Sequence, residues 1–132
     1  MSFSFTDAWL LHAIHVNERP DLGAELIDII AYADYINHAV LTYEELTDAL
    51  PRLLHAGLVV QLGQRLAAAD GYKNWWDQQY AGRKRINFIK ALGDVEIYLN
   101  STFGTAVLPD IDIPINIQQQ DFTAAVEKYL RR

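Results

Sequence analysis

The sequence predicts a mainly α, α+β domain: three helices and a β-hairpin, followed by a helical extension with one short edge strand. Three observations lead there. Apolar residues recur at helical spacing through the first 56 residues. The period changes at Gly57, and Leu58–Leu62 and Arg65–Ala68 flank the glycine-led turn Gly63-Gln64, which is a hairpin pattern. Helical spacing then returns and is interrupted by Ile111, Ile113, Ile115 and Ile117, which alternate strictly with polar or proline residues.

Each element has its own signals. Thr6 is placed to cap a first helix over Asp7–Glu18, with Trp9, Ala13 and Val16 along one face. Pro20 ends it, because proline disfavours helical geometry in the preceding residue. A second helix is expected over Leu22–Ala39, with Leu22, Leu26, Ile29, Ile30, Ala33, Ile36 and Val40 inward. Thr42-Tyr43-Glu44-Glu45 is a capping box: the Thr42 hydroxyl accepts from the Glu45 amide and the Glu45 carboxylate accepts from the Thr42 amide. Leu46, Leu50, Leu53 and Leu54 form the buried stripe of this third helix, and Gly57 is its left-handed stop. Pro51 lacks a backbone donor and should kink or divide it.

A short aromatic helix follows the hairpin, with Tyr72, Trp76 and Tyr80 in register and Gly82 at its end. Trp76 should be buried and Trp75 more exposed, free to meet a partner. A long helix is expected over Arg83–Asn100, with Phe88, Leu92, Val95 and Leu99 inward. Ser101–Pro109 reads as loop. The isoleucine alternation reads as a half-buried strand that Pro114 restricts to an edge. Asp121–Arg132 closes the sequence as a helix with Phe122, Val126 and Tyr129 inward.

Composition narrows the function classes. The 132 residues are one domain's worth of chain, and 51% are hydrophobic, enough for a core. There is no linker or internal repeat, so one domain is expected over 1–132, with a core at 6–70 and a helical extension at 71–132. Cysteine is absent, which excludes disulfides, thiolate metal sites and cysteine nucleophiles. No apolar run approaches the ~20 residues of a membrane span. No secretory leader is visible, and a cytoplasmic protein without membrane attachment is expected. Charge is divided unequally. Residues 1–62 carry nine acids and two bases, a net of −7, and residues 63–132 a net of +1. An acidic first half repels phosphate.

The stretch Asp34–Leu62, DYINHAVLTYEELTDALPRLLHAGLVVQL, resembles the core of the winged helix-turn-helix superfamily. The capped third helix and the Ala56-Gly57-Leu58-Val59 exit look like the junction of recognition helix and wing. More narrowly, the chain is similar to small bacterial winged-helix proteins with an Asp-x-x-Asn-His segment before the capping box, here Asp34, Asn37 and His38. The resemblance spans roughly residues 6–70. It implies a DNA-binding transcription regulator, dimeric through its first or last helix. Winged helices also serve as protein-docking modules without DNA contact.

The residues weigh on both readings. In this superfamily the outward face of the third helix enters the major groove. Here that face holds Tyr43, Glu44, Thr47, Asp48, Pro51, Arg52 and His55. The candidate recognition residues are Tyr43, Thr47, Arg52 and His55, beside the structural cap Thr42 and Glu45. Three acids, counting Glu45, stand against one arginine, which suits docking onto a basic partner or a plain solvated face. The bases lie elsewhere. Arg65, Lys73, Arg83, Lys84 and Arg85 are the candidate DNA or phosphate contacts, with Lys90 close behind. Three bases opening a helix would oppose its dipole, so a phosphate or acidic partner is one account of them and a solvated run is another. His12 and His15 are three apart and Asp34 and His38 four apart, but neither pair has a nearby third ligand, so no metal is expected. Asp34, Asn37 and His38 are expected to tie off the second helix. No nucleophile, phosphate-loop or zinc-protease motif occurs, and Asp110 and Asp112 should face solvent. Neither an enzyme nor a cofactor is expected.

Overall fold

The structure is a computed structural model and describes residues 2–104 and 113–132. Three helices come first: α1 (Phe5–Val16), α2 (Leu26–Asn37) and α3 (Tyr43–His55). The antiparallel hairpin β1 (Val59–Leu62) and β2 (Arg65–Ala68) follows, with Val59 opposite Ala68 and Leu62 opposite Arg65. Then come α4 (Asp70–Tyr80), α5 (Phe88–Phe103) and α6 (Gln119–Leu130). The mainly helical α+β class and the hairpin register match the sequence expectation. Ser101–Phe103 belong to α5, not to a loop. Ile111, Asp110, Asp112 and the expected loop over 105–109 lie outside the described residues.

Helix α1 begins two residues earlier than expected, and Ser4 caps it in place of Thr6. The Ser4 hydroxyl accepts from the Asp7 amide at 3.4 Å, and the Asp7 carboxylate accepts from the Ser4 amide at 2.7 Å. Helix α2 begins at Leu26 because residues 19–23 close a tight turn, with the Arg19 amide donating to the Gly23 carbonyl and the Gly23 amide to that of Arg19. Leu22, expected in the core, is therefore 53% exposed. Gly23 has φ +76°, and a Cβ there would lie 2.9 Å from the Leu66 carbonyl oxygen. That close approach lets Ala24 pair antiparallel with Leu66, with N–H···O distances of 2.7 and 3.1 Å.

The signals around α3 act as written in the sequence. Thr42 and Glu45 form both capping bonds, at 2.9 and 3.1 Å. At the other end the Leu58 amide donates to Leu53 and the Gly57 amide to Leu54, a Schellman stop with Gly57 at φ +74°. Pro51 sits within α3 without dividing it. Leu54 is only half-buried, unlike Leu46, Leu50 and Leu53.

One apolar core joins all the helices. Helix α1 packs against α2, α3 and α5, and α6 lies on α2 and α3. The Trp9 indole N–H donates to the Ala33 carbonyl at 3.0 Å, and Asn100 of α5 bonds both the amide and the carbonyl of Phe3. Tyr72, Trp76 and Tyr80 are buried as the spacing requires, and Trp75 stacks on Tyr98 at 4.3 Å instead of standing free. Residues 113–117 make no strand. Their side chains do alternate in burial, with Ile117 inside, but the backbone is held by the Gln61 side chain, which donates to Pro114 O at 3.1 Å and accepts from the Asn116 amide at 2.6 Å.

A buried ion pair crosses the centre of the three-helix unit. Asp7 is 0% exposed, and Arg52 of α3 reaches it through Nη2 at 2.9 Å and Nε at 3.2 Å. The same guanidinium binds Asp48 at 2.7 and 3.1 Å. Removing one member of a buried pair strands the other charge. Asp7→Ala should therefore destabilise the fold by about 3–5 kcal/mol, part of it from the lost cap. Asp48→Ala, whose side chain is 69% exposed, should cost less than about 1 kcal/mol. Adding Arg52→Met to Asp7→Ala should recover part of the loss. Urea melts of the four proteins check this, and equal midpoints for Asp7→Ala and Asp48→Ala would show that the pair does not hold the core.

Candidate functional site

The outward face of α3 differs from its sequence expectation at two of four positions. Arg52 does not face out: at 9% exposure it is turned onto Asp7. Hydrogen bonding to Asp48, and then to Asp7, holds its pKa above the ordinary arginine value against the opposing effect of burial. The reciprocal bond from Arg52 lowers that of Asp48. Tyr43 is covered as well. Its hydroxyl donates to the Ile117 carbonyl at 3.0 Å and its ring packs on Phe122. Thr47 and His55 are exposed, with Glu44 and Asp48 beside them. The face left to solvent carries carboxylates and no lysine or arginine.

The bases of the hairpin and of the first turn of α4 are likewise engaged inside the chain. Arg65 binds Glu25 at 2.7 Å, and Lys73 binds Glu18 at 2.9 Å. Glu18 also accepts from the Ala68 amide at 2.7 Å, so it clasps the end of β2 and the start of α4 together. At the hairpin turn, Asn116 donates to the Gly63 carbonyl and Gln64 donates to Asp121. None of these acidic partners is near its base in sequence, and no sequence signal pointed to them.

Arg83, Lys84 and Arg85 do not open a helix. Gly82 at φ +81° ends α4, and α5 starts only at Phe88, with Asn87 capping the Lys90 amide at 3.2 Å. The expected conflict with the helix dipole does not arise. All three are exposed and none forms an ion pair among the described residues. Helix α4, 11 residues or roughly 16 Å long, separates them from the hairpin, so Arg65, Lys73 and this turn are not gathered at one place along the chain's path.

The segment Asp34, Asn37, His38 ends α2. His38 is left-handed at φ 53°, and its amide donates to the Asp34 carbonyl at 2.7 Å. The Asp34 carboxylate accepts from the Tyr129 hydroxyl, joining α2 to α6. His12 and His15 lie in an aromatic cluster. His12 Nε2 meets the Tyr32 hydroxyl at 3.1 Å, and its ring lies 4.6 Å from that of Trp76. His15 packs edge-on against Tyr72. Among the described residues no group of three histidines or carboxylates is placed to hold a metal, and no helix is long and apolar enough to cross a membrane. No family model, curated protein or solved structure matches the chain.

Burial, and secondarily the His15 charge, lowers the His12 pKa from 6.5 to about 4. A depressed histidine pKa favours the fold while the ring is neutral. This contribution is full above about pH 6.5 and is lost as the pH falls toward 4, on the order of 3 kcal/mol in all. The His12 ring should therefore stay neutral by NMR at about pH 5.5, and His12→Leu should flatten the loss of stability across that window. Titration of the ring near 6.5 would refute this.

Proposed function

We propose that the chain is a winged-helix protein-interaction module whose α3 docks a basic surface of a partner protein in place of reading DNA. The helix–helix–helix–hairpin order supports the winged-helix reading, as does the single Ala24–Leu66 bridge, which ties the segment before α2 to the hairpin. The observation that carries the function is that Arg52, Tyr43 and Arg65, which such a fold would turn to DNA, are engaged from within. Arg52 is bound to Asp7, Tyr43 lies under Ile117 and Phe122, and Arg65 is bound to Glu25. The hairpin turn is bonded to Asn116 and Asp121. The face that remains, Glu44, Thr47, Asp48 and His55, has the charge to attract lysine and arginine, not phosphate.

A DNA-associated regulator is the second reading, favoured by the exposed bases of the Arg83–Arg85 turn. A homodimer made by trading α1 or α6 would have to unpack helices that close on their own core. A second copy would instead find exposed apolar side chains at Ile89 and Ile97 of α5.

Gel shifts on random duplex and NMR titration with an oligolysine peptide separate the readings. The peptide should move the amides of Glu44, Thr47 and Asp48, and Glu44→Gln should weaken its binding severalfold. The duplex should not shift even at about 50 mM salt. Retention of the duplex, with a salt slope that falls by about 0.9 for each phosphate contact removed in Arg83→Ala with Arg85→Ala, would overturn the docking reading in favour of DNA.

A further inference from the structure

The bases of this acidic chain are not distributed evenly between paired and free. Of its 11 lysines and arginines, Arg19, Arg52, Arg65, Lys73, Arg131 and Arg132 each lie within 4.0 Å of a carboxylate. Four of the remaining five are Arg83, Lys84, Arg85 and Lys90. In a chain of net charge −6, carboxylates are in excess, yet this one stretch is left without them among the described residues.

Three of these four line one cavity. Between the end of α4 and the start of α5 lies a cleft of about 400 Å³ bordered by Tyr80, Arg83, Arg85, Asn87, Lys90 and Asp94. The Arg83 guanidinium rests over the Tyr80 ring, 5.2 Å from its centre, which holds the fork at the cleft instead of in bulk solvent. Asp94, the one carboxylate of the lining among the described residues, accepts from the Tyr80 hydroxyl at 2.5 Å. Burial, and secondarily Asp94, pushes the Tyr80 pKa up to about 12, so that hydroxyl keeps its proton and stays on Asp94. Three cations against one carboxylate leave the lining at +2. The first turn of the 16-residue α5 opens on the same cleft and adds the positive end of its dipole. Ile86 and Ala91 supply apolar wall beside the charges.

We propose that this cleft binds a small soluble phosphomonoester. A terminal phosphate carries about −1.5 to −2 charge at neutral pH and three acceptor oxygens, which match a +2 lining with two guanidinium forks and an ammonium. A cavity of this size encloses a body of a few carbons. A phosphodiester inside a duplex has one charge and no free end to enter. The site is separate from the α3 face, and its occupancy does not depend on what that face binds.

The test is NMR titration of the intact chain with ribose 5-phosphate, inorganic phosphate, ribose and sodium chloride at matched ionic strength, with a short duplex as a further arm. Ribose 5-phosphate and phosphate should move the amides of Asn87–Ala91 saturably, and ribose and chloride should not. Binding should strengthen as the pH rises through the second phosphate pKa near 6. Arg83→Ala with Arg85→Ala, and separately Lys90→Ala, should each weaken it about tenfold or more. Lys128→Ala, a base on α6, should leave it unchanged. These side chains are exposed and form no ion pair among the described residues, so the variants should keep the fold, and unchanged amide spectra elsewhere verify that. No saturable shift with either phosphate compound, an equal response to chloride, undiminished binding in the arginine variant, or a response to duplex alone would each overturn the proposal.

Discussion

The Asp7–Arg52 pair sets the relation between the first and third helices. Asp7 is at once the last residue of the α1 capping box and the buried acceptor of a guanidinium from α3. Its two oxygens receive the Ser4 amide, Arg52 Nε and Arg52 Nη2. Such saturation is what a buried charge requires, since desolvation otherwise exceeds the Coulombic gain. Because the pair joins the first turn of one helix to the last turn of the other, it fixes their axial register. It also decides which way α3 presents itself: with Arg52 drawn inward, Glu44 and Asp48 dominate the outward face. The fold's central constraint and the character of its candidate surface are thus one interaction.

The second half of the chain acts on the first by covering it. Ile117 and Phe122 seat on Tyr43, Gln61 and Gly63 hold residues 114–116, and Tyr129 reaches Asp34. These contacts are mostly polar and made by side chains, so they bind a segment that contributes no ladder of its own. A proline at 114 and an irregular backbone suit that arrangement better than a strand would.

The legible parts of the fold were those specified by neighbours a few residues apart. The Thr42–Glu45 cap, the Gly57 stop, the hairpin turn and the Tyr72–Trp76–Tyr80 stripe are all local chemistry. Ser4-x-x-Asp7 is equally local, but Thr6 stands nearer the apolar period and competes with it as a cap. The helical spacing of Phe88, Leu92 and Val95 says nothing about where the backbone first turns, so it does not locate the start of α5 at Phe88. What periodicity could not supply was direction at long range. Arg52 stands on the outward side of its helix by spacing, and only a carboxylate 45 residues away draws it in. The pairing of Arg65 with Glu25 and of Lys73 with Glu18 is hidden for the same reason. The basic stretch at 83–90 was visible as charge, but its cleft exists only because Gly82 and Asn87 fold it between two helices.

The long reach of the C-terminal contacts bears on the order in which the chain can fold as it is synthesised. The bonds of the α1 and α3 caps, of the Asp7–Arg52 pair and of the hairpin ladder all lie within the first 68 residues. Tyr43 meets Ile117 across 74 positions, Tyr129 meets Asp34 across 95 and Asn100 meets Phe3 across 97. Until those residues have left the ribosome, a nascent three-helix unit shows Tyr43 and the open hairpin turn uncovered. Contacts of such separation close late. The emerging chain therefore passes through an interval in which these groups are open to other contacts, and the arrival of residues 114–129 ends it.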